Sequence, residues 1–250
     1  MSNSALVTYK NVTNNRNSPR NHKIDTITIH CYVGQVTAKQ GCDYFKSTDR
    51  QVSANYVVGC DGSIGLSVPE SDRAWTSSSG TNDHRAVTIE CACDSKSPYA
   101  LTDKAYAALI NLVADICKRN EIKKLVWSTN SNDRKNHKNG CNMTVHRDFI
   151  STDCPGAFLY SNMGEIAKRV SEKLNATDSY FPSVGYFKKG DVSPKVQKIC
   201  DFLADLVKGD TFGDYCEACV KVYQQKHGIG TDGKVGKKTL AAMEKDGFEK

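Results

Sequence analysis

Residues 144–156, Thr-Val-His-Arg-Asp-Phe-Ile-Ser-Thr-Asp-Cys-Pro-Gly, place His146 and Cys154 eight positions apart, and Pro155-Gly156 turns the chain directly after the sulfur. Imidazole nitrogen and thiolate sulfur are donors that zinc prefers, and three protein donors leave one tetrahedral position open. His30, in Asp25-Thr-Ile-Thr-Ile-His-Cys31, is a third donor of the right type. There Ile27, Ile29 and Cys31 alternate with Thr26, Thr28 and His30, the period of a half-buried strand, which turns His30 away from the apolar face. An open zinc position is suited to metal-assisted hydrolysis. Residue types and spacing leave a second reading standing, in which His146 is an ordinary polar histidine and Cys154 a buried thiol.

The elements that must position these residues follow from patterning. Ala86-Val-Thr-Ile-Glu-Cys-Ala-Cys93 alternates again, with Val87, Ile89, Cys91 and Cys93 on one face and Thr88 and Glu90 on the other. Thr37 can cap a helix that carries Ala38, Cys42 and Phe45 on one side. Asp61-Gly62 between Tyr56-Val-Val and Ser63-Ile-Gly-Leu predicts a hairpin. Thr102 opens a long helix to about Asn120, with Leu109, Leu112, Val113 and Ile116 as its apolar stripe and Lys118 and Arg119 suited to its C-terminal dipole. Lys124–Trp127 reads as a short strand, and Ser128–Asn142, with Arg134, Lys135, His137 and Lys138, as a solvated basic loop at the lip of a cleft. A further helix covers 157–175, while residues 1–22, rich in Asn, Ser and Arg, read as surface. Strands interspersed with helices predict an α/β domain, a mixed sheet flanked by helices.

Composition changes after Ala176-Thr-Asp-Ser-Tyr-Phe-Pro-Ser183, which reads as a linker. The remainder contains no arginine and shows three helical segments near 192–208, 212–227 and 236–246. Gly228–Gly236 between the last two is too glycine-rich to be helical. The predicted organisation is an α/β domain over 1–175, a linker over 176–183 and a small three-helix domain over 184–250.

At 250 residues, with 39% hydrophobic and 25% charged residues, the chain has the composition of an ordinary folded protein. No apolar run reaches the ~20 residues of a membrane span, so membrane insertion is not expected. A net charge of +6 spread over both parts argues against nucleic acid and for a modest attraction to anionic polymers. The N-terminus lacks the basic start and apolar stretch of a secretory signal. Eleven scattered cysteines are then expected to be reduced. Cys216-x-x-Cys219 has no second Cys or His pair at zinc-finger spacing and reads as core packing, as does Cys91-x-Cys93 on its strand face.

Thr-Ile-His early, Val-Thr-Ile-Glu in the middle and His-Arg-Asp followed by Asp-Cys-Pro-Gly late resemble the zinc-dependent type 2 N-acetylmuramoyl-L-alanine amidases, which share a fold with peptidoglycan recognition proteins. The resemblance covers about residues 20–175. It implies zinc on His30, His146 and Cys154, Glu90 as general base and then acid, and hydrolysis of the amide between N-acetylmuramic acid and L-alanine in bacterial peptidoglycan. It also places Asn55, Trp75 and Thr152 on the substrate side. Asp148 reads either as an orienting partner of a ligand or as a cap. The chain departs from the family at Ala54, where some members carry a tyrosine, at Thr152, where some carry a lysine, and at Thr76, where many carry a histidine. His84 is a candidate replacement for that histidine, or else a solvated loop residue.

Lys189-Gly-Asp, Val222-Tyr-Gln-Gln and Thr231-Asp-Gly-Lys-Val-Gly resemble a three-helix peptidoglycan-binding domain. A catalytic domain joined to a wall-binding tail implies a phage or prophage endolysin that waits in the host cytoplasm and acts on the cell wall after release. A non-catalytic peptidoglycan sensor on the same fold is the alternative, and the complete His/His/Cys set speaks against it.

Overall fold

The computed structural model describes residues 2–175, 180–182, 184–203 and 209–250. Two units divide after Asn175. The first contains strands β1 (Tyr9–Lys10), β2 (Arg16–Asn17), β3 (Thr26–Val33), β4 (Tyr56–Val58), β5 (Ile64–Leu66), β6 (Arg73–Ala74), β7 (Ala86–Cys93) and β8 (Met143–Thr144). Its helices are α1 (Ala38–Ser47), α2 (Gly80–Arg85), α3 (Asp103–Arg119), α4 (Ser131–Lys135) and α5 (Gly156–Asn175). Six strands form a mixed sheet in the order β1-β5-β4-β7-β3-β8, and β2 pairs with β6 separately.

The centre of the sheet is the parallel pair β3–β7, whose register sets His30 directly beside Glu90. One face of this pair is apolar. Ile27, Ile29, Val87 and Ile89 pack with Leu109, Leu112, Val113 and Ile116 of α3 and with Leu159, Met163, Ile166 and Val170 of α5. The other face carries Thr26, Thr28, His30 and Thr88, all buried as well, so β3 is covered on both faces and not half-exposed as its alternation predicts. Central parallel strands are ordinarily covered on both sides. Here the polar side closes through hydrogen bonds: Thr28 Oγ1 pairs with Thr144 Oγ1 at 2.8 Å, and Asn82 donates to Thr28 Oγ1 and accepts from Thr144 Oγ1.

Local signals act where expected. Thr37 closes a reciprocal capping box with Gln40, and Thr102 accepts from Ala105 N at the start of α3; each such cap is worth ~1 kcal/mol. β4 and β5 pair antiparallel around Asp61-Gly62, with Gly62 at φ +85°. Close approach of α1 to β5 needs Gly65, because a Cβ there would lie 2.4 Å from Cys42 Sγ.

Three expectations are corrected. Lys124–Trp127 joins no ladder; its amides are taken by side chains, Leu125 N donating to Ser171 Oγ and Val126 N to Asn142 Oδ1. The loop 128–142 contains α4, and its Arg134 is buried, not solvated. The N-terminal segment is anchored by buried Ser4, Thr13 and Arg20, whose guanidinium donates to the carbonyls of Glu70, Asp72, His84 and Ala86. That a basic side chain serves as a carbonyl clamp is invisible to composition.

The second unit contains α6 (Pro194–Leu203), α7 (Asp214–Lys226) and α8 (Lys237–Lys245) around a core that includes Phe187, Val196, Phe212, Val220, Val235 and Leu240. The end of the helix expected to 208 and much of the expected linker, residues 204–208, 176–179 and 183, lie outside the described residues. Tyr180 and Phe181 belong to the tail's core. Buried Gln224 organises the Asp-Gly-Lys-Val-Gly loop: its amide donates to Asp232 Oδ1, Lys234 O and Thr239 Oγ1, and its oxygen accepts from Gly233 N.

Candidate active site

His30 projects from the polar face of β3 near its C-terminal end, Glu90 from the same face of β7, His146 from the turn after β8, and Cys154 from the segment that enters α5. The donor atoms of His30, His146 and Cys154 all lie within 4.8 Å of one another, and no other such group of three occurs among the described residues. Cys154 Sγ is 3.5 Å from His30 Nδ1, and Glu90 Oε1 is 4.0 Å from the same nitrogen. His30 Nε2 pairs with Ser77 Oγ at 3.2 Å. A proton held on Nε2 by this contact leaves Nδ1 as the free lone pair facing Cys154, the arrangement a metal-binding imidazole needs.

Electrostatics favours the same role. Burial, and then the neighbouring His146, hold His30 well below the usual imidazole range, so it is neutral at physiological pH. Burial lowers His146 as well. Burial, reinforced by Cys31, raises Glu90 to about 8, and its Oε2 has no hydrogen-bond partner. Cys154 is held up by its hydrogen bond with Cys31, by burial and by Glu90, so the metal-free site keeps this thiol protonated. Two neutral imidazoles, a thiol and an orphaned carboxylate oxygen around one point fit a divalent cation that prefers nitrogen and sulfur.

Two arginines fix the loops that carry His146 and Cys154. Arg134 donates to both carboxylate oxygens of Asp148 and to Ser128 O, with its guanidinium 4.3 Å from the Trp127 ring centroid. Asp148 also accepts from Val145 N, which pins both ends of the His146 turn. Asp148 therefore acts as an anchor of the turn. Arg147 donates to the carbonyls of Asp153 and Cys154 and lies over Tyr160. Gly156 has φ +82°, and a Cβ there would lie 2.8 Å from Tyr99 Cβ, so this turn requires glycine.

The site opens on a cleft with two lobes. One, of about 400 Å³, is lined by Tyr32, Tyr44, Phe45, Arg50, Trp75, Glu90 and His146 among others. The other, of about 600 Å³, is lined by Asn17, Arg50, Arg73, Trp75, Ser78, His146 and Ile150 among others. Arg50, Trp75 and His146 belong to both, so the candidate metal centre lies where the lobes meet.

Of the residues expected on the substrate side, Trp75 lines the cleft. Thr152 Oγ1 accepts from Cys154 N and so acts on the ligand loop. Asn55 is fully buried; its Oδ1 accepts from Thr88 N, and its amide donates to the carbonyls of Val68, Pro69 and Asp72. Those bonds place Asn55 out of reach of a ligand. Ala54 is closed inside an apolar patch with Cys42, Phe45 and Val57. His84 accepts from Asn21 N and does not join the metal-ligand group. Ser77, Cys31 and Arg134 carry no sequence signal for their roles, since each depends on a partner at least fourteen residues away.

Comparison with known proteins places the chain in a family. The family model described as N-acetylmuramoyl-L-alanine amidase matches residues 20–157, and one described as a peptidoglycan binding domain matches residues 198–243. The chain therefore belongs to the N-acetylmuramoyl-L-alanine amidase family, and it is an enzyme that hydrolyses the amide joining N-acetylmuramic acid to L-alanine in peptidoglycan. Among solved structures, the PlyG catalytic domain is 19% identical with a TM-score of 0.50, over 68% of this chain and 97% of that one. A selenomethionine derivative of AmpD is 18% identical with a TM-score of 0.49, over 66% and 96%. The endolysin amidase LysCS from Clostridium intestinale is 17% identical with a TM-score of 0.45, over 68% and 98%. No curated protein matches the chain.

Proposed function

We propose that the amidase reaction depends on zinc held by His30, His146 and Cys154, with Glu90 as the residue that moves protons. The observation that carries this reading is the convergence of three donor atoms within 4.8 Å beside an orphaned carboxylate oxygen. Bound there, zinc supplies Lewis acidity toward the scissile carbonyl and toward the attacking water. Glu90 in its ionised form takes a proton from the water and returns it to the departing L-alanine amine; at about 8 in the metal-free protein, its acid and base forms are both accessible near neutral pH. Ser77 holds His30 in the tautomer that ligates through Nδ1. Ala54, buried in its patch, offers no acidic side chain, and Thr152 bonds the backbone of its own loop, so proton transfer falls to Glu90. The two lobes of the cleft suit a substrate that extends on both sides of the scissile bond, with glycan on one side and stem peptide on the other.

The tail is proposed to hold the enzyme on the cell wall, with the catalytic domain over 1–175, a linker over 176–183 and the binding domain over 184–250. Tethering raises local substrate concentration without altering the catalytic centre. This architecture supports an endolysin role, phage-encoded and acting on the wall after release. No helix among the described residues is long and apolar enough to cross a membrane.

Metal analysis paired with digestion of purified peptidoglycan tests the reading. One zinc per chain is expected, with new L-alanine amino termini and no new reducing sugar ends. Cys154→Ser is expected to lose both metal and activity; a metal-free Cys154→Ser protein with full activity would overturn the zinc mechanism.

A further inference from the structure

The second unit holds a pair of side chains that the amidase chemistry does not use. Cys200 on α6 and Cys216 on α7 face each other inside the tail's core, both fully buried, with sulfurs 2.7 Å apart. Buried cysteines commonly pack as small hydrophobes. At this separation, however, each sulfur is the other's close partner; the next contact, Cys200 Sγ to Thr211 O, is 4.0 Å. No metal explains the pair, because the only group of three metal-capable side chains among the described residues is the one built on His30. Cys219, one turn along α7, is half-buried and is the competing thiol.

We propose that Cys200 and Cys216 are a disulfide-forming pair that clips α6 to α7 when the protein meets an oxidising environment. Small domains outside the cytosol, where one core supplies limited stability, are often cross-linked in this way. The tail is such a domain, and its proposed substrate, the wall, lies outside the membrane. In the structure both cysteines are free thiols, as the sequence leads one to expect, and the proposal concerns what this pair does on oxidation.

The oxidant class is a small-molecule disulfide such as oxidised glutathione. One protein thiolate attacks it, forming a mixed disulfide and releasing one glutathione thiol. The second protein thiolate then attacks the protein sulfur of the mixed disulfide and expels the second glutathione. In sum, two protein thiols lose two protons and two electrons, and one glutathione disulfide becomes two thiols. Because both sulfurs are buried, the exchange takes place as the tail folds or transiently opens. The geometry selects Cys216 over Cys219, since only Cys216 touches Cys200.

The test uses the full chain, refolded in a glutathione redox buffer, quenched with an alkylating reagent, digested with trypsin and mapped by mass spectrometry. Lys208 separates the peptide containing Cys200 from that containing Cys216 and Cys219. A linked pair lighter by two hydrogens is expected, retained in Cys219→Ser and lost in Cys216→Ser. Reduction with dithiothreitol is expected to lower the tail's unfolding temperature in the wild type and leave that of the Cys200→Ser/Cys216→Ser double variant unchanged. Each protein is compared with itself, so a less stable variant still reports. Recovery of Cys200 and Cys216 as separately alkylated thiols, a link from Cys200 to Cys219, or identical melting of oxidised and reduced wild type would overturn the proposal. None of these outcomes bears on wall binding or on the zinc site.

Discussion

Replacing Arg134 by Met tests whether a buried ion pair holds the His146 turn. The side chains of Arg134 and Asp148 are each only 1% exposed. Arg134→Met keeps most of the aliphatic bulk but removes both bonds to Asp148, the bond to Ser128 O and the stacking on Trp127. Asp148 would then keep a single donor, Val145 N, in a site closed to water. Removing one partner of a buried pair costs about 3–5 kcal/mol, mostly from stranding the other charge. For a unit of this size each kcal/mol moves the unfolding midpoint by ~2–4 °C, so a drop on the order of 10 °C is expected by calorimetry. Arg134→Met/Asp148→Leu removes both charges and is expected to recover most of that loss. Because Asp148 closes the turn that begins at His146, zinc affinity in Arg134→Met should also fall, by about 10–100-fold in competition with a chromogenic chelator. A stability loss below about 1 kcal/mol, the level of an exposed pair, would refute the argument.

Three further outcomes follow from the same geometry. Ser77→Ala is expected to keep the fold and lose about 10-fold in zinc affinity, because His30 loses its hydrogen-bond partner at Nε2, the contact proposed to orient the ring; unchanged zinc competition would dismiss that role. Glu90→Gln should keep zinc and lose ~10²–10⁴ in turnover. In the metal-free protein it should also flatten the pH dependence of stability. Glu90 binds its proton more tightly folded than unfolded, so its favourable neutral form is fully present below pH 4.5 and is lost as pH rises toward about 8. With 17% of the side chain exposed, the loss is discounted to roughly 2–4 kcal/mol; parallel stability curves for wild type and variant across this window would contradict the burial argument. A chain ending at Asn175 should cleave soluble muropeptides at nearly the full-length rate and intact walls more slowly, whereas equal losses on both would remove the tethering role.

The residues of the candidate metal group, the two central strands and the tail helices were legible in the amino-acid order because each rests on a local rule. Alternation placed His30 and Glu90 each on the polar face of its own strand, and the hairpin at Asp61-Gly62 and the caps at Thr37 and Thr102 are conformational preferences of a few adjacent residues. Asp-Cys-Pro-Gly is likewise local, since the turn at Gly156 excludes a side chain. What tertiary structure alone decided is which polar groups meet. Arg134 reads as a solvated charge until Asp148 and Trp127 enclose it, and Asn55 reads as a ligand contact until its amide is found bonded to three carbonyls. Ser77 has no distinguishing neighbours in sequence; its contact with His30 exists only because the chain after β6 returns to the polar face of β3. The same holds for Cys200 and Cys216, whose contact requires α6 and α7 to pack. Hydrophobic periodicity reports which face of an element is covered, but the pairing of buried polar side chains depends on non-local geometry, and most of this enzyme's site is built from such pairs.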